Sequence, residues 1–161
     1  MAKESSSRRI DTASRVIMAS PQNIYQAFVN PKALISWLPP NGMSGYVDTF
    51  DPKEGGVYRM TLTYEMDESK PGKTSENTDV TQGRFLELAP DKRIVQSVNF
   101  DSEDPAFSGE MIQSWLFEAV SEGTSVTIVC ENVPEGIRKE DHDTGLRSTL
   151  ENLAVFIEKE K

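Results

Sequence analysis

The chain contains one histidine, His142, and one cysteine, Cys130, the side chains that most often serve as a base or a nucleophile near neutral pH. With a single imidazole, any Ser-His-Asp or Cys-His arrangement has only one histidine base available. One histidine and one cysteine are too few for a metal site that needs several nitrogen and sulfur ligands. We therefore predict no bound metal and no cofactor. Cys130 alternates with Val126 and Ile128, which favours a buried thiol over a nucleophile.

His142 lies in the charged run from Lys139 to Asp143, at the start of a segment with helical periodicity. Acidic side chains near a helix N-terminus interact favourably with the helix dipole, which by itself accounts for the run. His142 also precedes Leu146 by four positions, so both side chains share one helix face. Two interpretations remain open, a histidine that lines a pocket and one on the surface or satisfied in the core. A catalytic or metal-binding role is a third.

Two short motifs come close to catalytic patterns without matching them. The run 71–74, PGKT, resembles the end of a phosphate-binding loop, but Asp67 stands where that loop has its first glycine. The run 42–45, GMSG, resembles a nucleophile elbow, but Tyr46 stands where the last glycine is needed. We interpret the second run as a turn.

A stronger candidate site consists of aromatic and flexible apolar side chains on segments that are predicted to face one another. Gln96 and Gln113 share the alternation of Val98, Met111 and Trp115, so the two amides are expected to point to the same side. An apolar cavity with a few polar groups is typical of small-molecule sites, although the same side chains also suit a filled core. The candidate ligand-binding residues are Trp37, Tyr58, Met60, Leu62, Trp115 and Leu146 for apolar contact, with Gln113 and His142 for orientation.

Local patterns predict the elements that position these residues. We expect a flexible N-terminal tail over 1–11 and a single domain over 12–161. Ser20 and Pro21 are typical of a helix N-cap and first helical residue, after a short strand. A second short helix is expected up to Leu38. Alternating residues then predict six antiparallel strands and a long connection: strands at 46–50, 57–64, 82–88, 93–100, 110–118 and 124–131, and a connection over 65–82.

The C-terminal segment carries the clearest helical signal. Leu146, Leu150, Leu153 and Ile157 are spaced by four, three and four, which predicts an amphipathic helix over 138–160. Since a lone helix cannot bury such a stripe, we expect it to pack against the concave face of the sheet.

Length and charge exclude several functional classes. A chain of 161 residues suits one domain, and 17 Lys and Arg against 26 Asp and Glu give a net charge of -9. That charge opposes nucleic acids and anionic lipid surfaces. The N-terminus has no apolar signal core, no run approaches the ~18 apolar residues of a membrane span, and the lone cysteine forms no internal disulfide. We therefore predict a cytoplasmic protein with no nucleic-acid partner and no membrane insertion.

Four segments and the element order resemble the START-like (SRPBCC) superfamily, and more narrowly the homologues of the activator of the ninety-kilodalton heat-shock-protein ATPase. The segments are ASPQNIYQAFVNPKALISWLPPNGM, FDPKEGGVYRM, GKTSENTDVTQGRFLEL and DHDTGLRSTLENLAVFIE. The resemblance implies an α+β helix-grip fold, in which a curved antiparallel sheet of about six to seven strands wraps around a long C-terminal helix, with two short helices after the first strand. It also implies a hydrophobic cavity between the sheet and that helix.

Members of the superfamily bind lipids, sterols, polyketides or plant hormones, and some catalyse cyclisation or hydrolysis. The leading hypothesis is therefore binding of a small lipophilic molecule, such as a lipid or a polyketide-like or flavonoid-like aromatic. Related proteins often have Trp at the position of Leu146, so a leucine there is expected to leave a roomier cavity. One alternative is a stress-response protein whose partner is a chaperone and which stimulates that chaperone's ATPase. Another is a hydrolase or cyclase that uses His142 and Glu118 as acid and base.

Overall fold

The computed structural model describes residues 9–39, 43–64, 78–100 and 109–159. Within these ranges the chain forms seven strands and three helices. In chain order they are β1 (Ile10–Ile17), α1 (Pro21–Val29), α2 (Pro31–Trp37), β2 (Met43–Phe50), β3 (Val57–Tyr64), β4 (Thr78–Ala89), β5 (Arg93–Phe100), β6 (Met111–Val120), β7 (Gly123–Glu131) and α3 (Lys139–Lys159).

The strands form one curled antiparallel sheet in the order β1-β7-β6-β5-β4-β3-β2. From β2 onward each strand pairs with the next in the chain, and β1 pairs with β7, with Ile10 opposite Glu131. In β7 the buried residues alternate with half-buried ones, because successive side chains of a strand point to opposite faces. The predicted meander of six strands after the helices is confirmed.

Both short helices begin where the sequence provides a cap. The Ser20 Oγ accepts a hydrogen bond from the Asn23 amide at 3.1 Å, and the Asn30 Oδ1 accepts from the Lys32 amide at 3.0 Å. Pro21 and Pro31 occupy the first helical positions, where a missing amide hydrogen costs nothing. Asn30 therefore separates two helices that would otherwise run together.

Helix α3 lies across the concave face of the sheet. Leu146, Leu150, Leu153 and Ile157 are all buried, as their spacing predicted. Polar contacts attach the helix to other segments: Asn152 donates a hydrogen bond to the Pro39 carbonyl at 3.0 Å, and Glu158 accepts one from the Met18 amide at 3.1 Å. The predicted α+β helix-grip fold is confirmed.

Three predicted boundaries are wrong. Strand β1 begins at Ile10, so residues 10 and 11 belong to the sheet and not to the tail, whereas residues 1–8 lie outside the described part of the chain. Strand β2 begins at Met43, where a turn was predicted. Strand β4 begins at Thr78, so residues 78–82 are not part of the connection, of which residues 65–77 lie outside the description. In each case polar or small residues obscured a strand, whose backbone hydrogen bonds do not depend on side-chain polarity.

Candidate functional site

A cavity of about 190 Å³ lies between the curled sheet and α3. Its lining is mostly apolar and comes from all three helices and from strands β2 to β6. Phe28 and Leu34 contribute from the short helices, Phe50 and Phe85 from the sheet, and Leu146 from α3. The cavity is therefore enclosed by the same elements that form the hydrophobic core.

The structure brings seven of the eight predicted site residues together around this cavity. They are Tyr58, Met60, Leu62, Gln113, Trp115, His142 and Leu146.

Trp37 is the exception, because it is fully buried and does not line the cavity. Its Nε1 donates a hydrogen bond to the Ala27 carbonyl at 3.1 Å, and its ring packs edge-on against Phe28 and Trp115. The prediction that Trp37 contacts the ligand is thus replaced by a role in holding the wall formed by Phe28 and Trp115.

Sequence reasoning missed several lining residues, among them Phe50, Phe85, Gly145 and Thr149. The spacing of His142, Leu146 and Thr149 by four and three was available as a signal for Thr149. Gly145 carries no such signal, because it has no side chain. A Cβ added to it would meet no heavy atom within 4 Å, so this part of α3 leaves space above the cavity.

A row of polar side chains crosses the inner face of the sheet. Asp11 of β1 lies opposite Cys130 of β7, Cys130 lies opposite Gln113 of β6, and Gln113 lies opposite Gln96 of β5. Directly paired residues on neighbouring strands point to the same face of a sheet. The pairing therefore places a carboxylate, a thiol and two amides side by side in an otherwise apolar interior.

Each amide in this row has a hydrogen-bond partner, as a buried polar group requires. The Trp115 Nε1 donates to the Gln113 Oε1 at 3.2 Å, and the Gln113 Nε2 donates to the Cys130 sulfur at 3.5 Å. Burial raises the pKa of Cys130 to about 11, although the Gln113 hydrogen bond opposes this effect. Cys130 is thus a protonated buried thiol and not a nucleophile, in agreement with the sequence interpretation.

At the β5 end of the row, Gln96 donates to the Tyr58 hydroxyl at 3.4 Å, and that hydroxyl donates to the Ser97 carbonyl at 2.5 Å. Tyr58 lies opposite Gly83, where a Cβ would come within 1.9 Å of the Ser97 carbonyl oxygen. Because Gly83 has no side chain, β4 can approach β5 closely at this point. The Tyr58 side chain of β3 can then extend across Gly83 to the Ser97 carbonyl on β5. Burial raises the pKa of Tyr58, so its hydroxyl stays neutral.

The ionisable groups of the site lie at the end of the row formed by Asp11 on β1. The His142 Nδ1 lies 2.6 Å from the Oδ2 of Asp11, a residue that is fully buried. Arg9 donates to the same carboxylate through Nη2 at 2.9 Å and Nε at 3.2 Å, and the Lys139 Nζ lies 3.6 Å from its Oδ1. Burial acts to raise the pKa of Asp11, but the hydrogen bonds from Arg9 and His142 and the charge of Arg9 outweigh it and lower the pKa.

The predicted acid-base partner of His142 is therefore wrong. Glu118 is exposed to solvent on β6, and Asp11 is the carboxylate that contacts His142. Sequence reasoning missed Asp11 because it assigned residues 1–11 to the tail.

Metal and membrane chemistry receive no support within the described ranges. No group of three or more His, Cys, Asp or Glu side chains there is arranged to hold a metal ion. No helix among those residues is long and apolar enough to cross a bilayer.

A curled antiparallel sheet, a helix in its concave face and a cavity between them define the helix-grip class of proteins. Within that class, residues 18–158 match the family described as Activator of Hsp90 ATPase homolog 1-like protein. The match spans most of the chain, so the protein belongs to this family, which confirms the resemblance inferred from the sequence.

Solved structures agree with this assignment. A protein from Chromobacterium violaceum is 32% identical, with a TM-score of 0.82, over 92% of this chain and 96% of that chain. A protein from Rhodobacter sphaeroides shares the fold at 21% identity and a TM-score of 0.78, over 97% of this chain and 96% of the other. An AHSA1-like protein from Aeromonas hydrophila shares the fold at 14% identity and a TM-score of 0.71, over 94% of each chain. None of the curated proteins compared with the chain matches it.

Proposed function

We propose that the protein binds a small lipophilic molecule in the cavity between the sheet and α3. The observation that carries the proposal is the set of polar side chains Gln96, Gln113 and His142 within an apolar lining, with His142 held by Asp11 behind it. A space that served only as a packing defect would be expected to be uniformly apolar, because even hydrogen-bonded buried polar groups can be replaced by apolar groups of the same shape at little cost in stability. Apolar walls with a few oriented polar groups are the usual composition of a ligand site.

The volume narrows the class of ligand. A cavity of about 190 Å³ is smaller than the ~300–1,000 Å³ of pockets for drug-sized molecules. It is close to the ~150 Å³ of an engineered apolar cavity that binds benzene. The size therefore favours a molecule of one or two rings, or a short aliphatic chain, over a sterol or a long-chain lipid. With about ten non-hydrogen atoms at ~0.5 kcal/mol each, the expected Kd is on the order of 100 μM.

The first test is a titration with naphthalene derivatives and with cholesterol, followed by NMR of the ¹⁵N,¹³C-labelled protein. We expect the naphthalenes to shift the side-chain resonances of Met60, Leu62 and Leu146, whereas cholesterol leaves them unchanged. The proposal fails if no ligand of this size range shifts these resonances.

A pair of variants on one helix provides the control. Leu146→Trp places an indole in the cavity and is expected to weaken naphthalene binding at least tenfold. Val155→Trp makes the same change on α3 at a residue that is 54% exposed, and is expected to leave binding unchanged. Equal weakening in both variants would indicate that binding occurs elsewhere.

A second candidate function follows from the family description, which refers to activation of a chaperone ATPase. The formal charge of -9 supplies a surface for a basic partner. This second function predicts that the purified protein raises the ATPase rate of a chaperone of that class at low salt, and that added salt weakens the effect. An unchanged rate at low salt would exclude this function. A cytoplasmic location remains a prediction under either function.

A further inference from the structure

We infer that the cavity selects ligands with a hydroxyl group on an aromatic ring, whose O–H donates a hydrogen bond to Nε2 of His142. The inference rests on the proposed binding function and specifies the chemistry of the ligand. It comes from the order of contacts around His142, with Asp11 on one ring nitrogen and the cavity beside the ring.

The first step concerns the proton on His142. Asp11 is an ionised carboxylate, and an ionised carboxylate only accepts hydrogen bonds. At 2.6 Å from Asp11 Oδ2, the His142 Nδ1 must therefore carry the hydrogen. In the neutral ring Nε2 is then left with a lone pair and acts as an acceptor.

The second step concerns how firmly this arrangement is held. Arg9 contacts both carboxylate oxygens, and Lys139 approaches Oδ1, so the carboxylate is oriented by the residue before β1 and by α3. Asp143 also contacts Lys139, at 3.5 Å. Turning the His142 ring over would break its short hydrogen bond to a fully buried carboxylate. The acceptor is thus preorganised before any ligand binds.

The third step concerns the ligand group that suits such an acceptor. A neutral phenolic O–H donates well, and its ring matches the aromatic lining formed by Phe28, Phe85 and Trp115. A carboxylate would need a protonated His142 and the burial of a second ion pair, with a large desolvation cost. An ether or a hydrocarbon offers His142 no hydrogen. The geometry therefore favours a phenol-like ligand over these three classes.

The ligand-free protein provides a direct test, because His142 is the only histidine in the chain. A long-range ¹H–¹⁵N NMR spectrum of its imidazole reports this site alone. In the neutral ring we expect a protonated Nδ1 and an unprotonated Nε2. A protonated Nε2 with a bare Nδ1 would overturn the inference, whatever the outcome of the binding tests.

A matched set of ligands tests the selectivity. We expect 2-naphthol to bind the wild-type protein about three- to tenfold more tightly than naphthalene or 2-methoxynaphthalene, as one hydrogen bond predicts. Binding of 2-naphthoate is expected to be weaker than that of 2-naphthol. Equal affinities of naphthol and naphthalene would overturn the inference while leaving the proposed function intact, whereas failure of every ligand to bind would contradict the proposed function itself.

Two variants locate the selectivity at this pair. In His142→Leu the ratio of naphthol to naphthalene affinity is expected to fall to about one. In Asp11→Asn the ionised carboxylate that holds the proton on Nδ1 is removed, while Arg9 still contacts both positions of the side-chain end group. The fixed acceptor at Nε2 is then lost, and the preference for 2-naphthol over 2-methoxynaphthalene is expected to fall. If Asp11→Asn keeps the wild-type imidazole spectrum and ligand ratio, Asp11 does not set the selectivity.

Discussion

The two halves of α3 use the same apolar stripe in different ways. Toward its C-terminus, Leu150, Leu153 and Ile157 are buried in a continuous core. Toward its N-terminus, His142 and Gly145 face the cavity, together with Leu146 and Thr149. The comparison shows that a helix can stabilise a fold with one half and leave room for a ligand with the other, when small and polar residues replace large ones.

The largest expected effect distinguishes the packed half from the open half. Leu153→Ala, at a residue with no exposed surface, should lower the free energy of unfolding by about 3–5 kcal/mol, because it creates a new cavity in a filled region. Leu146→Ala should cost less, about 1–3 kcal/mol, because it enlarges an existing space. Urea denaturation of both variants measures the difference. Equal losses would show that the two halves are packed alike.

The Asp11 carboxylate, which contacts the N-terminal half of α3 through His142, should make a pH-dependent contribution to the free energy of unfolding. Removing the carboxylate in Asp11→Asn is expected to cost about 1.5–3 kcal/mol near neutral pH, as for hydrogen bonds to a charged group. Because folding lowers the pKa of Asp11 below its ordinary 3.8, its contribution is complete above that value and is lost as the pH falls through the folded-state pKa. Denaturation of wild type and variant from neutral to acidic pH tests this. A gap that stays constant at low pH would contradict it.

The hydrogen bonds of Tyr58 and Gln96, at the β5 end of the polar row, should contribute less to the free energy of unfolding. Tyr58→Phe removes the hydroxyl that donates to the Ser97 carbonyl and accepts from Gln96. We expect a loss of about 0.5–1.5 kcal/mol in the free energy of unfolding, with naphthalene binding retained. Thermal unfolding with and without ligand measures both quantities. A loss of naphthalene binding in this variant would show that the hydrogen bonds of the Tyr58 hydroxyl are needed to keep the cavity in shape.

The smallest effect is an expected gain. Gly145→Ala should stabilise the protein by about 0.5–1 kcal/mol, because glycine is unfavourable within a helix and the added methyl group meets open space. The same methyl group narrows the cavity, so naphthol binding should weaken slightly. Calorimetric unfolding together with a binding titration tests both. A destabilised variant would mean that the space above Gly145 is already filled.

Local pattern accounts for most of the fold and for much of the site. The alternation along β5 and β6 placed Gln96, Gln113 and Trp115 on one inner face, and the helical spacing placed His142 in line with Leu146. Trp37 was assigned to the site incorrectly, because its position on a helix does not reveal which aromatic ring stands between it and the cavity.

The sequence by itself determined the order of elements, the buried stripe of α3 and the inward phase of the strands, because each depends on a short repeat along the chain. Only the tertiary structure decided that Asp11 meets His142, which lies 131 positions further on. That contact depends on the pairing of β1 with β7 and on the placement of α3 over both. Such pairings are set by the packing of the whole core, which no local repeat encodes.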